Sequence, residues 1–291
     1  MEIRWLVSVS ASCFHAVGEM LRRRRLVDTA LSEQLTQPVD QLHSYCQAWG
    51  VDAVVLVDHL TAISIEPLSV DDQARRAIRK AVGEAGMAQI IKPVVSWIQH
   101  VQSRFVELYP RSLEELELRS SPLREQWEAR GPGLIAQLRR LLGADFLAEN
   151  ADAILVQPVM GGGGTTYPAY NRVSFEAVLA NPIPDLPEVV RLGWLLAQLQ
   201  LDLPIAQGNL SSQRTREVGA IALVPPSLAA AHEVELTGPM ELMLPRALDA
   251  WRLPPVDSDT LLAWWESYLS ARPAWSTALA ALDRLLSEEA S

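Results

Sequence analysis

ILVQPVMGGGGTTYPAYNRVSFEAVLANPIPDLPEVVRLGWLLAQLQL, residues 154–201, is the stretch from which the fold is read. Together with Ala153 it opens on a short apolar run, Ala153 to Val156, which reads as a strand buried on both faces. Pro158 fits the end of a strand and would break a helix. Four glycines follow, Gly161, Gly162, Gly163 and Gly164. From Arg172 to Leu179 the apolar residues Val173, Phe175, Ala177 and Leu179 alternate with Arg172, Ser174 and Glu176. Period two sends one set to the core and the other to solvent or a neighbouring layer.

Asn181-Pro182-Ile183-Pro184 ends that strand, since proline cannot donate to a ladder. Asp185 with Glu188 then reads as a capping-box-like helix start. From Leu186 to Gln200 apolar residues fall on every side, as in a helix at the middle of a domain. Arg191 is the polar exception. It needs a partner if buried, and Glu188 or Glu176 is close enough in sequence to supply one.

Working outward, the 291 residues are 49% hydrophobic and 21% charged, which is globular and enough for one large or two small domains. A net charge of −10 disfavours nucleic acid as a partner, because a binder needs a basic face to replace counterions. Basic charge is nearly all arginine, Lys80 and Lys92 being the only lysines. Cys13 and Cys46 read as two buried thiols in a reducing compartment. No apolar run is long enough to span a bilayer, and the first residues lack the pattern of a signal peptide. The expectation is a cytoplasmic protein with no membrane partner.

Helical spacing predicts a helix over 4–25, ending in Arg22-Arg23-Arg24-Arg25 near its negative end. A second is predicted from Thr36 to Trp49. Val51 to Val57 is β-branched and echoes residues 151–156, so it reads as a strand, and the two as neighbours in one sheet. Further helices are predicted from Ser69 to Gly83, from Pro93 to Leu108, and from a capping box at Ser112. Another starts at Ser121-Pro122 and is interrupted at Gly131-Pro132-Gly133. Residues 205–216 read as a loop. Helices follow near Ser227, Glu241, Asp259 and Ala274, anchored by Trp251, Trp264, Trp265 and Trp275. A weak composition break near residue 120 divides a mainly helical region, 1–120, from an α+β core with a helical tail, 121–291.

Candidate chemistry is sparse. The glycine run with Thr165 and Thr166 lacks the lysine and the following helix of a phosphate loop, so it reads as a flexible link between two antiparallel strands. His232-Glu233 begins a zinc-protease motif that Leu236 leaves without its second histidine. Asp58-His59 follows the expected strand at 51–57, where α/β proteins place catalytic residues. Trp127, between Glu125 and Glu128, reads as a packed anchor. The order of strand, loop, strand and buried helix is similar to that of zincin metallopeptidases, in which the helix after the edge strand carries the zinc histidines. Here that helix reads Arg191-Leu192-Gly193-Trp194-Leu195-Leu196-Ala197-Gln198, without histidine. The likeness implies at most a relative that lost the metal.

The sequence therefore predicts a helix-rich α+β fold, with a small sheet around residues 153–179 and a buried central helix at 186–200. The first functional expectation is a non-catalytic protein that binds another protein, with no cofactor or metal. The alternative is a hydrolase-like or degenerate zincin-like domain with a pocket beside the glycine turn. Ligand-binding candidates are Gly161, Gly162, Gly163, Gly164, Tyr170, Asn171, Glu176 and Arg191.

Overall fold

The computed structural model describes residues 1–84 and 87–289. The chain opens with β1 (Glu2–Val7) and five helices: α1 (Val9–Leu21), α2 (Thr29–Trp49), α3 (Ala53–Ile63), α4 (Val70–Val82) and α5 (Met87–Leu108). The long α6 (Ser112–Leu142) leads into β2 (Asn150–Val156), β3 (Gly164–Tyr167) and β4 (Arg172–Glu176). The remainder is helical: α7 (Glu188–Ala197), α8 (Pro204–Gln207), α9 (Ser212–Ala222), α10 (Val224–Glu233), α11 (Met240–Ala250), α12 (Ser258–Ala271) and α13 (Trp275–Glu289). The fold is helix-rich α+β with a small mixed sheet.

The strand order is β1-β2-β4-β3, with β1, β2 and β4 parallel and β3 antiparallel on the outside of β4. Helices cover both faces. On one face Ala11 of α1 packs on Ile154 and Val156 of β2. On the other, Ala153, Leu155, Val173 and Phe175 join the core built by α6, α7 and the C-terminal helices. The period-two reading of residues 172–176 thus holds, and its polar set meets the α1 layer rather than water. On that same face Arg4, Asp152 and Arg172 stand side by side across three strands. Asp152 accepts from both arginines, at 2.8 and 3.1 Å. The strand stops at Glu176, short of Leu179.

All ten residues of α7 are buried, as an all-round apolar helix should be. Asp185 does not cap it. Asn181 Oδ1 accepts from the Glu188 amide instead, and Asp185 pairs with Arg246 at the surface. Gly193 lets α7 approach α6, since a Cβ there would stand 2.7 Å from Leu134 Cδ2.

Several sequence expectations are corrected. Residues 2–7 form a strand, and the first helix starts only at Val9, where Ser8 caps it. Residues 51–57 enter a helix. Asp52 accepts from the amides of Val54 and Val55, and Leu56, Val57, Leu60 and Ile63 are buried at helical spacing. Capping and tertiary burial override a β-branched local preference. The helix of α6 continues through Pro122 and through Gly131-Pro132-Gly133. Ser112 lies inside it and caps nothing. Residues 205–216 contain α8 and the start of α9. The glycine run links two strands that are not neighbours, crossing β4 to reach its far side.

Candidate functional site

Glycine sits at 161 and 162 because φ is +77° and +123° there, where a side chain is disfavoured. The loop so formed turns its amides onto a carboxylate of the protein itself. Glu176 Oε1 accepts from Val159 N (3.0 Å) and Met160 N (2.8 Å), and Oε2 accepts from Gly162 N (2.7 Å). His15 Nε2 of α1 lies 3.0 Å from Oε1. Both side chains are buried. Burial alone would raise the Glu176 pKa. The His15 imidazole and the loop amides outweigh it and hold the carboxyl below its usual range. The cradle suggested by the glycines exists, and its anion is internal.

Beyond the loop, β3 is the outer strand of the sheet. Glu176 N donates to Gly163 O, so in antiparallel alternation Gly163, Thr165 and Tyr167 face β4. The N–H and C=O groups of Gly164 and Thr166 then point outward. Gly164 must be glycine, because a Cβ would stand 2.5 Å from Ser174 O and 2.6 Å from Leu195 Cδ1. The unpaired edge opens onto a cleft of about 240 Å³ between the two helical layers.

Every charged residue lining this cleft is an arginine: Arg22, Arg24, Arg191, Arg216 and Arg252. Four are held from behind by carboxylates. Arg22 pairs with Asp58 at 2.7 Å, Arg24 with Glu19 at 2.7 Å, Arg216 with Asp202 at 2.6 Å, and Arg191 with Glu188 at 3.3 Å. Arg252 instead donates to the carbonyls of Gly162 (3.2 Å) and Met160 (3.1 Å). It thereby ties the α11–α12 connection to the glycine loop and lies across that end. Trp194 and Trp251 stack at 4.8 Å and form the apolar wall with Leu195 and Leu253.

Arg191 is the least satisfied of the five. It is only 5% exposed, Nη2 reaches Ala250 O at 3.1 Å, and Nε and Nη1 are buried without a hydrogen-bond partner. Burial and the nearby Arg252 lower its pKa, with Glu188 and Glu176 opposing. Burial likewise pushes Glu188 up to about 7, against the pull of Arg191. Beside it Glu188 Oε2 is likewise buried without a partner, so this corner holds spare donors and a spare acceptor together.

Of the residues expected from sequence, Gly163, Gly164 and Arg191 line the cleft, while Gly162 and Glu176 form the internal cradle beside it. Gly161 is exposed at the bend. Tyr170 and Asn171 lie at the opposite end of the β3–β4 hairpin. There Tyr170 Oη contacts His59 Nδ1 at 3.0 Å, and Asn171 donates to Asn150. Asp58 and His59 belong to α3. Asp58 is taken by Arg22, and burial drops the His59 pKa to about 4. His232 is exposed, with Nδ1 3.2 Å from Thr237 O. Among the described residues no group of three or more His, Cys, Asp or Glu stands together as a metal site, and no helix is long and apolar enough to cross a membrane. Arg216, Arg252, Trp194 and Trp251 are not legible as site residues in the sequence. Arg22 and Arg24 stand out there only as part of the basic run Arg22-Arg23-Arg24-Arg25, which could contact an anionic surface. No family model matches the chain, and no curated protein or solved structure is significantly similar to it.

Proposed function

We propose that the chain is a non-catalytic binding protein that takes an extended, acidic segment of a partner protein along the outer edge of β3. The observation that carries this reading is the unpaired edge of β3 opening onto a cleft whose charged lining is all arginine. An edge strand is a template for an added strand, which main-chain bonds hold and side-chain pockets select. Gly164 and Thr166 offer two N–H and two C=O groups, at about 0.5–1.5 kcal/mol net for each bond made. The guanidiniums add charge complementarity, which favours acidic sequences and rejects basic ones. The hydrolase-like alternative draws support from the packing of α7 behind an edge strand. Yet the cleft lining brings hydroxyls from Thr165 and Thr166 and no carboxylate, imidazole or thiol to move a proton.

The test uses labelled hexapeptides that alternate threonine with either glutamate or lysine, followed by fluorescence anisotropy. The acidic peptide should bind, weakening as salt is raised, and the basic one should not. Thr166→Pro removes an outward N–H from an edge position that tolerates proline, and should weaken binding about tenfold. Equal binding of both peptides, or none of either, would refute the reading.

A further inference from the structure

We infer that the closed end of the cleft, where Arg191 and Arg252 meet the glycine loop, is a receptor for the C-terminal carboxylate of the bound segment. The inference rests on the edge-strand reading above and adds the direction and the end of the ligand. Three observations lead to it.

The first is the closure. Arg252 bridges from beyond α11 to the carbonyls of Met160 and Gly162 and lies over Gly163, across the path of a chain lying on β3. The segment is taken to terminate there. The second is the charge at that end. Arg191 and Arg252 both line the cleft at this end, Arg252 on the loop carbonyls and Arg191 beside Glu188, and burial pushes the Glu188 carboxyl up to about 7. A chain end beside two guanidiniums should be a carboxylate and not an ammonium. The third is Arg191 itself, more than nine-tenths buried, lining the cleft with Nε and Nη1 unpartnered. Buried donors of this kind are matched in folded proteins by an acceptor, and a charge-assisted bond to a carboxylate is a strong match for a guanidinium N–H.

These constraints orient the ligand. β3 runs from Gly164 at the closed end to Tyr167 at the open end. A segment with its C-terminus at the closed end runs the other way, antiparallel to β3. Its last main-chain groups pair with Gly164, and those two residues earlier pair with Thr166. Arg22, Arg24 and Arg216, toward the open side, face acidic side chains upstream of the terminus.

The experiment compares one acidic hexapeptide, ending in valine, as the free acid, as the C-terminal amide, and extended by two glycines. Arg191 is the obvious residue to change, but its loss also strands Glu188. Arg252→Asn is the second variant. Arg252 is exposed and holds φ +56°, a conformation asparagine tolerates. The free acid should bind at least about tenfold tighter than the amide or the extended peptide, and Arg252→Asn should remove most of that difference while its melting curve stays near wild type. If acid, amide and extended peptide bind alike, and all are weakened by Thr166→Pro, the C-terminal receptor is refuted and the edge-strand reading stands. If none of the three binds, both fall.

Discussion

Two buried charges stand on either side of the glycine loop and differ in one respect. Glu176 has acceptor sites matched by three amides and an imidazole. Arg191 has donors left over. Both come from the same 48-residue stretch that decides the fold, residues 154–201. A satisfied buried charge fixes structure; one with unpartnered donors still has hydrogen-bonding capacity to offer. The comparison separates the part of the motif that builds the loop from the part that faces a ligand. It also explains why the glycine run resembles an anion cradle without being open to a phosphate.

The sharpest way to break this comparison is to empty the satisfied side. Glu176→Ala leaves several buried donors unpaired at about 1–3 kcal/mol each, which together approach the roughly 5–15 kcal/mol that holds a domain. Little folded protein should be recovered, and a urea midpoint near wild type would show that the loop does not depend on Glu176. The wall of the cleft comes next. Trp194→Ala should cost about 3–5 kcal/mol. Trp127→Ala should cost as much, because both tryptophans are 6% exposed despite the carboxylates beside Trp127 in sequence. Trp127 packs edge-on to Trp5 at 6.4 Å.

Arg191→Leu tests the unsatisfied side, and its effect depends on pH. Glu188 holds its proton more tightly folded than unfolded, so its contribution to stability is greatest below its ordinary 4.5 and falls as pH rises toward about 7. Without Arg191 that penalty extends to higher pH. The variant should lose about 3 kcal/mol in alkaline solution and under about 1 kcal/mol in mild acid, with Glu188→Gln restoring the alkaline loss. A pH-independent loss would mean that Arg191 is structural in the same sense as Glu176. Glu176 has the opposite sign. Its lowered pKa contributes stability above the usual carboxylate range, lost as pH falls through it. Gly164→Ala should cost about 1–3 kcal/mol at every pH, from the Cβ meeting the Ser174 carbonyl and Leu195.

Local rules made some of this legible in the sequence. The alternation from Arg172, the all-round apolar α7 and the need of Arg191 for a carboxylate, Glu188 or Glu176, all follow from spacing alone. The strand β1 was masked because Leu6 and Val9 lead into a helical pattern, although Ile3, Trp5 and Val7 alternate and line the C-terminal core. α3 was misread because its β-branched residues outweighed the cap at Asp52. The parallel pairing of β1 with β2 joins residues some 148 apart, a relation no local period encodes. The cleft is harder still. Its arginines come from the end of α1, from α7, from α9 and from beyond α11, and only the packing of two helical layers around the β3 edge collects them.

The most direct test follows both sides of the loop in one titration. Nitrogen-15 spectra would resolve the Arg191 and Arg252 side-chain Nε–H signals and the backbone amides of Met160 and Gly162. On adding the acidic free-acid hexapeptide, the two arginine signals should shift saturably with the Gly164 and Thr166 amides, while Met160 and Gly162 stay within the small changes of a neighbouring site. A spectrum in which the Met160 and Gly162 amides move and Arg191 is silent would place the ligand in the glycine cradle and contradict the division between a satisfied and an unsatisfied charge.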